Sequence, residues 1–141
     1  MTLLLFMTFS VEAYAAWCKE PALGYYRFDN PMCRFFRGTR LYREQRFSEA
    51  SIQWQAILKD RHFPVEFEPL RYDAMNNVGY LYYMGLGVKA DRNRAVDEFW
   101  RPAHKAGHEE ATFHLCHVYA DEQSPLALGY CREALRRYKA I

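Results

Sequence analysis

The sequence predicts an all-α fold, a short α-solenoid of about three antiparallel helix pairs stapled by disulfides. Three observations predict it. Residues 74–107 carry small and apolar positions at three-to-four spacing, break at Gly85-Leu86-Gly87, and resume that spacing, as two helices joined by a tight turn do. The pattern then begins again, with Ala111, Leu115 and Tyr119 standing 37 places beyond Ala74, Val78 and Tyr82. Finally, the cysteines Cys18, Cys33, Cys116 and Cys131 fall into two pairs, each 15 apart.

With 141 residues, 50% of them hydrophobic, the chain can bury one sizeable core and reads as one domain. Residues 1–15 hold a short apolar run followed by Ala13-Tyr14-Ala15, a small-x-small cleavage site, and read as a signal peptide. The run lacks a preceding Lys or Arg and carries Glu12. It is too short to span a bilayer as a helix, so no stable membrane span is expected after its removal. Trp17 before Cys18 does not suit a lipoprotein signal, and no lipidation is expected.

An even cysteine count in a small exported chain points to disulfides. Three pairings are possible. Local closure favours Cys18–Cys33 and Cys116–Cys131, because antiparallel helices joined by a short turn bring positions such as Cys116 and Cys131 together. A zinc site is the competing reading, but it lacks a CxxC pair.

Residues 16–34, with Pro21, Gly24 and Pro31, read as an irregular N-terminal cap held by the first disulfide, and residues 35–141 as the helical domain. The first helix pair runs from Phe35 through Gly38 and Leu41, turns at Phe47-Ser48 with Ser48 as cap, and continues through Ala50, Trp54 and Leu58. Residues 59–70 contain Pro64 and Pro69, and the alternation of Phe63, Val65 and Phe67 predicts an extended segment. In the central pair, Ala74, Val78, Gly79, Leu81 and Tyr82 form one buried stripe, Gly85 and Gly87 stop the helix, and Asp91 caps the next, which buries Ala95, Phe99 and Ala103. Pro102 inside that helix predicts a kink or bulge near Arg101-Pro102. A last helix from about Leu128 closes the array with Ala134, Leu135 and Tyr138, its Arg132, Arg136, Arg137 and Lys139 facing water.

The central residues resemble the Sel1-like repeat, a relative of the tetratricopeptide repeat. Ala74, Val78-Gly79, Tyr82, Gly85-x-Gly87-Val88, Asp91, Ala95, Phe99-Trp100, Ala103 and Gly107 follow its pattern. Two departures stand out: the interval from Ala95 to Gly107 is one residue longer than usual, and in the next repeat Cys116 replaces the glycine of Leu-Gly. The resemblance implies a curl of helix pairs whose first helices line a concave face that holds peptides or protein partners. It also makes disulfide-stapled helix pairs relevant, since some exported members carry them.

On that arrangement Thr39, Tyr42, Asn77, Tyr80, Tyr83, His114 and His117 line the concave face. Asn, Tyr and His there suit backbone amides and aromatic contacts. The tyrosines Tyr80 and Tyr83 serve equally well as packing against the neighbouring pair. The basic series Arg34, Arg37, Arg40, Arg43 and Arg46 reads as a solvated stripe, and a net charge of +2 with no base-reading motif argues against nucleic acid. His104/His108 and His114/His117 have metal-compatible spacing, but His104 and His108 straddle Gly107, where a helix ends. No nucleophile motif or phosphate loop is present, and no cofactor, metal site or catalytic residue is expected. The expected function is that of a periplasmic or secreted adaptor for a protein or peptide of the cell envelope. A cell-wall-ligand binder or enzyme and a histidine-based metal binder are the alternatives, and oligomeric state stays open.

Overall fold

The computed structural model describes Cys18 and residues 30–139. The expected signal peptide lies outside the described residues, as does the expected cap apart from Cys18 and residues 30–34. Among residues 30–139 six helices follow one another: α1 (Pro31–Arg43), α2 (Phe47–Lys59), α3 (Glu68–Met84), α4 (residues 92–105), α5 (Glu109–Asp121) and α6 (Ala127–Lys139). Each packs against the next, and no strand occurs among the described residues.

Helix α1 begins four residues earlier than the expected Phe35, because Asn30 Oδ1 accepts from the backbone N–H of Met32 and Cys33, and Pro31 needs no partner at the first helical position. The segment before α3 is shorter than expected and not extended. Val65–Phe67 forms one 3₁₀ turn that leads into Glu68, and Val65 stands exposed. Pro64 is tolerated just before the 3₁₀ turn and Pro69 in the first turn of α3, where their missing N–H groups cost nothing.

One packing device holds the first two helix pairs. Trp54 of α2 lies against Gly38 of α1, where an added Cβ would stand 2.5 Å from Trp54 Nε1; Trp100 of α4 lies against Gly79 of α3, where the distance would be 2.6 Å. Both indoles donate to the carbonyl three residues before the glycine: Trp54 to Phe35 O at 3.2 Å, Trp100 to Asn76 O at 3.1 Å. In the third pair Cys116 occupies the glycine's place, 37 residues after Gly79, and a disulfide to Cys131 joins α5 to α6 with a Cα–Cα separation of 4.6 Å. The second disulfide joins Cys18 to Cys33 at the start of α1.

The turn after α3 ties the second pair to the first. Gly85 and Gly87 both take φ of +68°, and a Cβ on Gly87 would meet the backbone N of Ser48 at 2.3 Å. Ser48 does not cap α2 as expected; its hydroxyl donates to Gly87 O at 3.0 Å. Asp91 does cap α4, accepting from Arg94 N at 3.0 Å. The irregularity expected near Arg101-Pro102 is a π turn at Ala95–Trp100, one residue before Pro102, which can donate no helical hydrogen bond. Helix α6 departs most from expectation. Tyr130 stacks on Tyr119 at 5.4 Å, whereas Leu135 and Tyr138, expected to close the array, stand exposed, and Arg137 is half-buried against Glu133.

Candidate functional site

A concavity of about 500 Å³ opens across α1, α3 and α5. Helix α3 positions its centre. Ala74, Val78 and Leu81 are wholly buried, so Asn77 and Tyr80, on another face of the helix, line the concavity. Thr39 and Tyr42 come from α1 and His114 from α5, so the cavity brings together five of the seven residues expected on the concave face. The other two lie elsewhere. The Tyr83 ring leans on Trp100 at 5.4 Å between centroids, because a tyrosine beside so large a buried indole gains more from covering it than from facing water. His117 is exposed, pairs with Asp121 at 3.1 Å and does not line the cavity.

Arg43, Trp54, Asn76 and Glu110 complete the lining. Asn76 is the residue with the least ordinary surroundings. It is 2% exposed, and its Oδ1 has no hydrogen-bond partner among the described residues, although burying an amide oxygen unpaired costs on the order of 1–3 kcal/mol. The spacing Ala74, Val78, Leu81 marked the stripe but gave no sign that Asn76 would lie beneath it. The 37-residue offset gave no sign either, since the equivalent position, Phe113, is 56% exposed.

Aromatic rings form the cavity's floor and walls. His114 stacks on Trp100 with centroids 4.6 Å apart and planes at 15°, and Tyr80 stands 5.8 Å from the same imidazole. Tyr42 lies 6.0 Å from Trp54. Burial raises the Tyr42 hydroxyl above its usual value, with the adjoining Tyr80 adding to it, so the Tyr42 phenol stays a neutral hydrogen-bonding group. Arg43 and Glu110 contribute opposite charges from different helices. The set offers amides, hydroxyls and ring faces. It holds no nucleophile beside a base, and all four cysteines are in disulfides.

His104 and His108 serve the fold. His108 caps α5: its Nδ1 accepts from Ala111 N at 3.2 Å, which leaves the proton on Nε2 to donate to Asp73 at 2.9 Å. His104 Nδ1 lies 2.8 Å from Thr112 Oγ1. Among the described residues no group of three His, Cys, Asp or Glu is placed to hold a metal ion, and no helix is long and apolar enough to cross a membrane. Two further concavities, about 610 and 550 Å³, are lined by these same structural groups, His108 with Asp73 in one and His104, Glu133 and Arg137 in the other. In the second, Arg137 Nη1 is buried without a partner among the described residues, but neither concavity gathers the residues expected on the concave face, which leaves the α1–α3–α5 groove as the candidate site.

Burial holds the His114 imidazole below the ordinary histidine value of 6.5, against the opposing charge of Glu110, and burial followed by the Arg137 charge lowers His104. Both groups bind fewer protons folded than unfolded just below 6.5. Stability present above that value is therefore lost as pH falls through the depressed folded-state values. Thermal unfolding followed between about pH 7 and pH 5 should show the midpoint falling on acidification, and His114→Gln should flatten that slope. An equally steep slope in the variant would exclude His114 as a source.

No family model, curated protein or solved structure matches the chain.

Proposed function

We propose that this chain is a non-catalytic helical-repeat scaffold that binds a protein or peptide partner of the cell envelope in the α1–α3–α5 groove. The observation that carries the reading is the groove itself: Thr39, Tyr42, Asn77, Tyr80 and His114 from three helices line it together with Asn76, whose Oδ1 is unpaired among the described residues. Amide and hydroxyl groups beside ring faces suit an extended peptide, whose backbone both donates and accepts while its side chains lie on the rings. The repeated Gly–Trp device and the 37-residue restart support a solenoid of helix pairs, and the Sel1-like spacing from Ala74 to Gly107 supports the same reading.

Two disulfides fit an oxidising compartment. Together with the signal-like residues 1–15 they support the periplasm or the exterior. The test uses oxidised protein as bait in an envelope extract, compared with an Asn77→Ala/Tyr80→Ala variant whose circular dichroism matches wild type. Loss of the captured partner by about tenfold or more, worth roughly 1.4 kcal/mol, is expected. Undiminished capture by the double variant would move the binding surface off the groove.

A further inference from the structure

The face of the α5–α6 pair turned away from α3 and α4 is covered by no described element, and it is apolar. On α6, Leu128, Leu135 and Tyr138 recur at seven and three residues, which places them on one stripe with Cys131 between; they are 58%, 61% and 78% exposed. On α5, Phe113, 56% exposed, and Ala120 flank Cys116 on the side opposite the buried Leu115 and Val118. The Cys116–Cys131 disulfide thus joins the two helices in the middle of one apolar surface. Single exposed leucines are ordinary, but four large apolar side chains exposed on two adjoining helices, with only His117 beside Phe113 among them, mark an interface.

The charges beside this face are segregated by helix. The far edge of α5 carries Glu110 and Asp121, the latter paired with His117; the far edge of α6 carries Arg132 and Arg136. The one acid of α6, Glu133, is held by Arg136 and Arg137. An isologous interface must be complementary to itself, and an acidic edge beside a basic edge meets that condition.

The geometry points to a second copy of this chain as the occupant, the two α5–α6 pairs meeting about a two-fold axis parallel to the helices. Each α5 then lies antiparallel on the other copy's α6, and four helices close over Phe113, Leu128, Leu135 and Tyr138. Cys116 and Cys131 are level, Glu110 lies six residues before the first and Arg136 five after the second. The antiparallel run therefore brings Glu110 of one copy level, to within about one helical rise of 1.5 Å, with Arg136 of the other. The alternative two-fold, with α6 on α6, would oppose Arg132 and Arg136 to their own kind. An anionic lipid surface would meet the arginines and the carboxylates together, which disfavours it.

Sedimentation equilibrium and light scattering over a concentration series test this on the oxidised chain. A monomer–dimer equilibrium is expected, and Leu128→Glu/Leu135→Glu should raise its dissociation constant tenfold or more with circular dichroism unchanged, since both positions are exposed in the single chain. The reversal Arg136→Glu should weaken the dimer about fivefold, and adding Glu110→Arg should restore it. A single-chain mass at every concentration overturns the proposal, and so does a dimer indifferent to Leu128→Glu/Leu135→Glu. Arg136→Glu/Glu110→Arg no tighter than Arg136→Glu alone overturns the stated axis. A monomer that instead binds anionic vesicles or an added amphipathic peptide through these leucines gives the face to another occupant and overturns it too.

Discussion

Trp100→Ala is expected to remove about 3–5 kcal/mol of unfolding free energy, a loss comparable with much of the total stability of a domain this size. The indole is 1% exposed and fills the space between α3 and α4, the His114 ring stacks on it and Tyr83 leans on it. Its removal leaves a cavity, unpairs Asn76 O and takes away the ring on which His114 of the groove stacks. The same contact explains Gly79. A Cβ there would reach to 2.6 Å from Nε1, so Gly79→Ala should cost roughly 1–3 kcal/mol with Trp100 in place. Once Trp100 is Ala, the clash is gone and only helix propensity remains, so Gly79→Ala should then stabilise by about 0.5–1 kcal/mol. Urea unfolding of the four variants completes a double-mutant cycle whose coupling changes the sign of the glycine substitution. Equal costs of Gly79→Ala in both backgrounds would show that the glycine serves something other than the indole.

That pair also shows what was legible in the sequence and what was not. The stripe of Ala74, Val78, Gly79, Leu81 and Tyr82 is buried as its spacing implies, because helical period alone decides which side chains face a neighbouring helix. Gly85, Gly87, Asp91 and the irregularity beside Pro102 were legible for local reasons: positive φ, a capping oxygen and a missing donor. The Trp–Gly device was not, because each of its contacts joins residues 16 or 21 apart, as 54 from 38 and 100 from 79, through a single ring. Ser48 was misplaced for the same reason, its partner Gly87 lying 39 residues on. The alternation of Phe63, Val65 and Phe67 misled because two flanking prolines favour a turn, and three residues are too few for a period of two to carry weight. At the groove, period located Asn77, Tyr80 and His114, whereas Tyr83 turned to cover the Trp100 ring and His117 stayed exposed beside Asp121.

Removing the Cys116–Cys131 bond, by Cys116→Ala with Cys131→Ala, is expected to cost about 3 kcal/mol, the chain-entropy value for a loop of this length. The third helix pair has no tryptophan on a glycine, so the disulfide stands where α1–α2 and α3–α4 have a packed indole. What remains between α5 and α6 is chiefly the Tyr119–Tyr130 stack, with His104 of α4 edge-on to the same Tyr130 ring. The loss should therefore be local before it is global. Amide exchange in α6 should accelerate well before exchange in α3, whose residues answer to Trp100. The Cys18→Ala/Cys33→Ala variant provides the contrast, because α1 remains locked to α2 by Trp54 and its exchange should change less. If α3 and α6 lose protection together in Cys116→Ala/Cys131→Ala, the helix pairs do not unfold as separable units and the disulfide supports the whole core rather than its last pair.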